Sequence, residues 1–166
     1  AMALDVQNIL CCHRSQDIFN KKTITASRGT VFNIQAKMYD DSLHAIQDLK
    51  QAGYQIVATS PKGKDIQSLA ALEKKPITLI VGNETHGISE AAFEHADQVI
   101  QIPMSGAVES LNVGVAAGIS MYELKLKGIM TMLTDFIRQT LGRELGVAHK
   151  LLQKHLHNIL LEHCEI

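Results

Sequence analysis

Two short apolar runs, Ile77 to Val81 and Gln98 to Ile102, each lead straight into a turn of glycine, asparagine, serine or proline. Nothing else in the chain limits its fold as much. Runs of this length read as strands. In open α/β sheets, ligands settle at the carboxyl ends of strands, where loops present free backbone N–H and C=O groups above the sheet. The two loops that follow these runs, both within Leu79 to Leu124, are therefore candidate walls of one pocket.

The rest of the chain repeats the alternation. Asn8 to Cys12 is a short apolar run that reads as a buried strand, although length alone does not exclude a helix. Cys11 and Cys12 read as core packing. His13 to Thr30 is polar and reads as a long loop or a short helix, and Thr30 to Ile34 resumes the apolar pattern. Asp41 to Ala52 places Leu43, Ile46 and Leu49 at helical spacing and ends at Gly53, a good C-terminal cap. Tyr54 to Thr59 is a predicted strand, Ser60 to Lys64 a turn containing Pro61 and Gly63, and Ile66 to Leu72 a short helix that stops before Pro76. Strand and helix in turn predict an α/β domain with a mainly parallel sheet and helices on both faces. Thr131 to Glu165 differs: its apolar residues fall at helical spacings on either side of Gly142 and Gly146, as in a helical pair with one apolar stripe. The expected division is a domain over residues 1–128 and a helical extension over residues 129–166.

Composition narrows the function classes. The 166 residues suit one domain with a real core, and 46% hydrophobic with 20% charged residues excludes wholesale disorder. Aromatics are 4% and tryptophan is absent, which argues against a platform that stacks several bases. A net charge of −1 carries no global basic signature. Lys21, Lys22 and Arg28, then Lys62 and Lys64, then Lys74 and Lys75 form local clusters, which by themselves read as solvated surface. Three cysteines, two of them adjacent, make a poor disulfide framework and fit a reducing cytoplasm. There is no run of 18 apolar residues and no charged-then-apolar leader, so neither a membrane span nor a signal peptide is expected.

The turn Gly82-Asn83-Glu84-Thr85-His86-Gly87 brackets polar side chains with glycines, which allow a ligand to approach the backbone closely. Alone it equally suits a tight strand-to-helix connection, with His86 an ordinary loop histidine. The second loop says more. Ile102-Pro103-Met104 ends a strand, Ser105-Gly106 turns the chain, and Ser110 reads as the N-cap of a helix from about Leu111 to Lys127. The N–H groups of its first turn would face an oxygen-rich ligand or reacting group. His149, His155, His157 and His163 lack metal-ligand spacing, and HExxH is absent, so no metal is expected.

The stretches LIVGNETHGIS and IPMSGAVESLNVGVAAGISMYEL resemble the second and third motifs of the SpoU (TrmH-like) RNA 2′-O-ribose methyltransferases of the SPOUT superfamily. Fainter similarity runs through NKKTITASRGTVF, so that the resemblance covers roughly residues 4 to 127. It implies an α/β domain whose C-terminal part forms a deep trefoil knot, S-adenosylmethionine held in that knot, an RNA substrate (tRNA or rRNA), and a homodimer with the active site at the subunit interface. Carried over by position, Gly82, Ile102, Met104 and Leu111 would contact the cofactor. Glu84, Ser110 and Asn112 would line the place where the ribose hydroxyl meets the methyl group.

One departure stands out. Family members begin with an N-x-G-x-x-x-R type motif whose arginine helps to activate the ribose hydroxyl, whereas these residues open at Ala3-Leu4-Asp5-Val6, which looks like the end of that helix. Thr25 stands where many relatives have arginine, and Arg14 and Arg28 are the available substitutes. The chain is therefore expected to bind S-adenosylmethionine yet transfer methyl weakly or not at all. The alternative is a catalytically silent cofactor- or RNA-binding homologue. A generic nucleotide-binding domain lacks support, since neither GxGxxG nor GxxxxGK[ST] occurs.

Overall fold

The apolar runs do become adjacent, fully covered strands. In a computed structural model, which describes residues 1–6, 8–12, 15, 17–72, 75–82, 86–106, 108, 110–127 and 158–161, six strands form one parallel sheet. In chain order they are β1 (Asn8–Cys12), β2 (Gln35–Tyr39), β3 (Gln55–Asp65), β4 (Ile77–Val81), β5 (Gln98–Gln101) and β6 (Asn158–Leu161). Across the sheet the order is β2-β1-β6-β4-β3-β5, and every pair is parallel. The helices between them are α1 (Lys21–Ala26), α2 (Ser42–Gln51), α3 (Glu90–His95) and α4 (Val113–Leu126).

Both faces of the sheet are covered, which explains why β4 is apolar at nearly every position. Ile77, Leu79 and Val81 of β4 and Val57 of β3 pack with Leu69, Met121 and Leu124 on one face. Ile80 of β4 and Ile56 and Ala58 of β3 pack with Ala45, Ile46 and Leu49 of α2 and Ala92 of α3 on the other. At about 25 cal/mol per Å² of apolar area buried, these two layers are the main source of stability. Cys11 lies in this interior, and burial pushes its thiol up to about 11, so it stays protonated at neutral pH.

Local chemistry sets several boundaries. The side chain of Asp41 accepts the His44 N–H at 2.9 Å and starts α2, and Gly53 leaves it in a left-handed conformation, φ +82°. Asn20 caps α1 in the same way, accepting from Thr23 at 2.9 Å.

Four sequence readings change. Thr30 to Ile34 is a 3-10 turn over Thr30–Asn33, with the strand beginning only at Gln35. Gly29 enters that turn at φ +78°, and only Val31 of it is buried, so the apolar run anchors a turn rather than a strand. The strand predicted over Tyr54 to Thr59 runs on to Asp65, because residues 60–63 bulge while pairing with β5 resumes at Lys64. The helix predicted from Leu111 starts at Val113, and its N-cap is Asn112, not Ser110. The helical pair predicted over Thr131 to Glu165 lies outside the described residues except at 158–161, which form β6 between β1 and β4. A four-residue apolar run such as Asn158 to Leu161 carries no periodicity that tells a strand from a helix, and backbone pairing with a neighbour on each side settles it.

Candidate functional site

Because the sheet is parallel, the carboxyl ends of β3, β4 and β5 lie at the same edge, and the loops that leave them enclose a cavity of about 700 Å³. Three loops and the starts of two helices, α3 and α4, form most of its walls. The β3 bulge contributes Thr59 to Lys62; the loop after β4 contributes Gly82 and His86 to Glu90; the loop after β5 contributes Ile102 and Met104; and the approach to α4 contributes Ser110, Leu111 and Val113.

Glycine is a requirement at Gly82. A Cβ there would overlap the backbone of Gly87 and Ile88, so the β4 loop folds back onto its own first residue. Gly87 itself has φ +68°, a left-handed conformation that favours glycine. Directly after this turn, Ser89 caps α3 by accepting from Ala92 at 3.1 Å, and its hydroxyl lies 3.0 Å from that of Ser42. The turn is thus held from both sides.

Of the residues singled out from the sequence, Gly82, Ile102, Met104 and Leu111 all line the cavity, and so does Ser110. Glu84 lies outside the described residues. Asn112 stands apart from the lining: it is exposed, and its side-chain oxygen accepts from the Gly114 N–H at 3.0 Å and the Val115 N–H at 3.4 Å. Those are N–H groups of the first helical turn, which the sequence reading had assigned to a ligand. The helix supplies its own acceptor for them.

Sequence reading took Ser60 to Lys64 as a turn and did not assign it to the site. Its signal was present in Ser60-Pro61-Lys62-Gly63, a turn at the carboxyl end of a strand exactly like the other two only in position, and separated from them by more than a dozen residues. Gly63 explains how the bulge reaches the cavity. A Cβ at this position would lie 2.5 to 2.8 Å from backbone atoms of Ile100, so the bulge returns to β5 at Gly63. Among the described residues no group of three or more His, Cys, Asp or Glu is placed to hold a metal ion, and the histidines from His149 onward lie outside them.

Chemically, the cavity offers apolar lining from Ile88, Ile102, Met104 and Leu111, Gly82 where a backbone can be approached, and a few polar side chains. That is the usual character of a small-molecule site, with apolar surface for affinity and a few polar groups for orientation.

Known proteins resemble this chain in sequence and in fold. Residues 1–122 match the family model described as the SpoU rRNA Methylase family. A tRNA (guanosine(18)-2′-O)-methyltransferase of Aquifex aeolicus is 42% identical over 84 residues, covering 51% of this chain and 40% of the relative. A protein of Archaeoglobus fulgidus described as an uncharacterized tRNA/rRNA methyltransferase is 31% identical over 136 residues, covering 73% of this chain and 60% of the relative. Among solved structures, an AdoMet-bound rRNA methyltransferase from Sinorhizobium meliloti superimposes with a TM-score of 0.68 at 29% identity, over 75% of this chain and 47% of the other. The chain spans between 40% and 60% of the length of these two curated relatives.

Proposed function

The chain belongs to the SpoU rRNA methylase family, and from that premise we propose that it is the methyltransferase domain of an RNA 2′-O-ribose methyltransferase that uses S-adenosylmethionine. The observation that carries this reading is the convergence of three strand-end loops on one cavity, with Gly82, Ile102, Met104 and Leu111 all in its lining. The residues fit the cofactor. A cavity of about 700 Å³ falls within the usual range for bound small molecules, roughly 300–1,000 Å³. Gly82 itself lines the cavity, and the close approach of Gly87 and Ile88 requires glycine at that position.

S-adenosylmethionine, when bound, supplies an electrophilic methyl group on a sulfonium sulfur. The chain's own contribution is positioning. Ile102, Met104 and Leu111 hold apolar surface and keep water out, Gly82 offers backbone hydrogen bonds, and Ser110 places a hydroxyl at the cavity where a ribose hydroxyl is to be oriented. Asn112 acts by fixing the start of α4, and with it Leu111 and Val113. Alignment of this kind accounts for much of the rate in such reactions. Glu84 belongs to the same proposal as a polar neighbour of the ribose.

The proposal includes the knotted C-terminal part, the division into residues 1–128 and 129–166, and a homodimer. The dimer reading rests on α4, where Val115, Ile119, Tyr122 and Leu126 are exposed at spacings of four, three and four residues. Such spacing makes one apolar stripe, which a second copy of the chain would cover. Slow methyl transfer by these 166 residues is part of this reading, since by resemblance to the family Thr25 stands where many relatives have arginine. The runner-up is a silent homologue that binds cofactor or RNA.

Calorimetry with S-adenosylmethionine tests the reading. Micromolar binding, about −8 kcal/mol, abolished by Leu111→Arg, is the expected result; no binding by the unaltered chain would sink it. Transfer of labelled methyl to tRNA or rRNA, read as nuclease-resistant 2′-O-methyl ribose, separates slow enzyme from silent homologue.

A further inference from the structure

Several described lysines are paired with carboxylates. Lys37, Lys50, Lys125 and Lys127 each lie within 4.0 Å of a carboxylate. Lys62 is exposed, with no carboxylate among the described residues within ion-pair distance, and it lines the cavity.

Its place there is built by the backbone. Thr59 and Lys64 both pair with Ile100, so the four residues between them are extruded from the β3–β5 ladder. A bulge costs ladder hydrogen bonds and re-aims the side chains it carries, which is why bulges collect beside active sites. Here the extruded loop is pinned rather than loose: Gly63 sits so close to the Ile100 backbone that a Cβ would come within 2.5 Å of it. Lys62 is the neighbour of that pinned residue, and the Ser60 hydroxyl accepts its backbone N–H at 3.2 Å. A regular β3 would have no residues to spare for the cavity wall.

We propose that Lys62 is a substrate-positioning residue that binds a phosphodiester of the RNA at the cavity opening. This rests on the methyltransferase reading of the same cavity. An exposed ammonium at the opening serves an anion that arrives from solvent, and a polyanionic strand laid across the opening supplies one. Its partner is a phosphate, so Lys62 fixes where the strand lies without reading its sequence.

The test measures the affinity of a fluorescein-labelled tRNA transcript by anisotropy across a series of KCl concentrations, with S-adenosylmethionine affinity measured in parallel. Lys62→Ala is expected to weaken tRNA binding about tenfold and to lower the slope of log affinity against log salt by about 1. Lys62→Arg is expected to restore both, and cofactor affinity to stay unchanged. An unchanged slope in Lys62→Ala overturns the inference, and so does a wild type that binds no tRNA. A loss confined to cofactor affinity overturns it as well, by giving the ammonium to the cofactor's carboxylate. Failure of the wild type to bind S-adenosylmethionine defeats the methyltransferase reading instead, while the salt slope still decides whether Lys62 holds a phosphate.

Discussion

β4 and β2 are both five-residue strands of the same parallel sheet, yet every residue of β4 is buried while four of the five in β2 are exposed. β4 lies inside the sheet, next to β3 and β6, with a hydrophobic layer on each face; β2 is the edge strand. The cavity belongs to the first side, since its walls come from β3, β5, α3, α4 and the loops after β4 and β5. The segment between β1 and β2 in the chain carries instead an exposed stacked pair, Phe19 and Phe32, with ring centroids 5.9 Å apart. The difference teaches that close packing is concentrated where the loops of the cavity leave the sheet.

The largest effect should come from cutting the buried side. Ile80→Ala, at a position with 0% exposure, is expected to cost about 3 kcal/mol, whereas Met38→Ala, 58% exposed on β2, should stay within about 0.5 kcal/mol. Urea melts of both variants check this, and equal losses would break the contrast by placing β2 under cover. Next comes Asn112→Ala, which removes the α4 cap and should cost about 1 kcal/mol. A loss of methyl transfer with stability intact would move Asn112 from support into the chemistry.

The smallest effect concerns pH. The His44 backbone N–H is the main cause that holds the Asp41 carboxyl below its ordinary value. A depressed carboxylate contributes stability that is present above the unfolded pKa, about 3.9, and is lost as pH falls through the folded one. Asp41→Asn keeps a good N-cap without a titrating group, so its melting temperature should change less than the wild type's as pH drops below about 4. Matching acid profiles for the two proteins would show that Asp41 plays no part.

Legibility followed the range of the interactions involved. β1, α2, β4 and most of β5 could be read within a residue or two of their ends, since apolar runs, the Asp41 cap and the Gly53 exit act over a few residues. The loops after β4 and β5 were readable as a site for the same reason: each ends a strand with residues that break it. Two failures involved partners far away in the chain, the bulge at 60–63 against β5 and the place of Asn158–Leu161; a third was local. The α4 start moved from Ser110 to Asn112, since either side chain suits a cap and only the backbone path chooses between them.

The amino-acid sequence by itself determined the α/β class, the family resemblance and the two loops that carry Gly82, Ile102, Met104 and Leu111. Only the tertiary structure decided that a third loop, with Lys62, completes the cavity wall, and that Asn158–Leu161 lies between β1 and β4. The physical reason is that periodicity and capping are satisfied by near neighbours. A bulge exists only relative to the strand it skips, and a strand's place only relative to the backbone groups on either side of it.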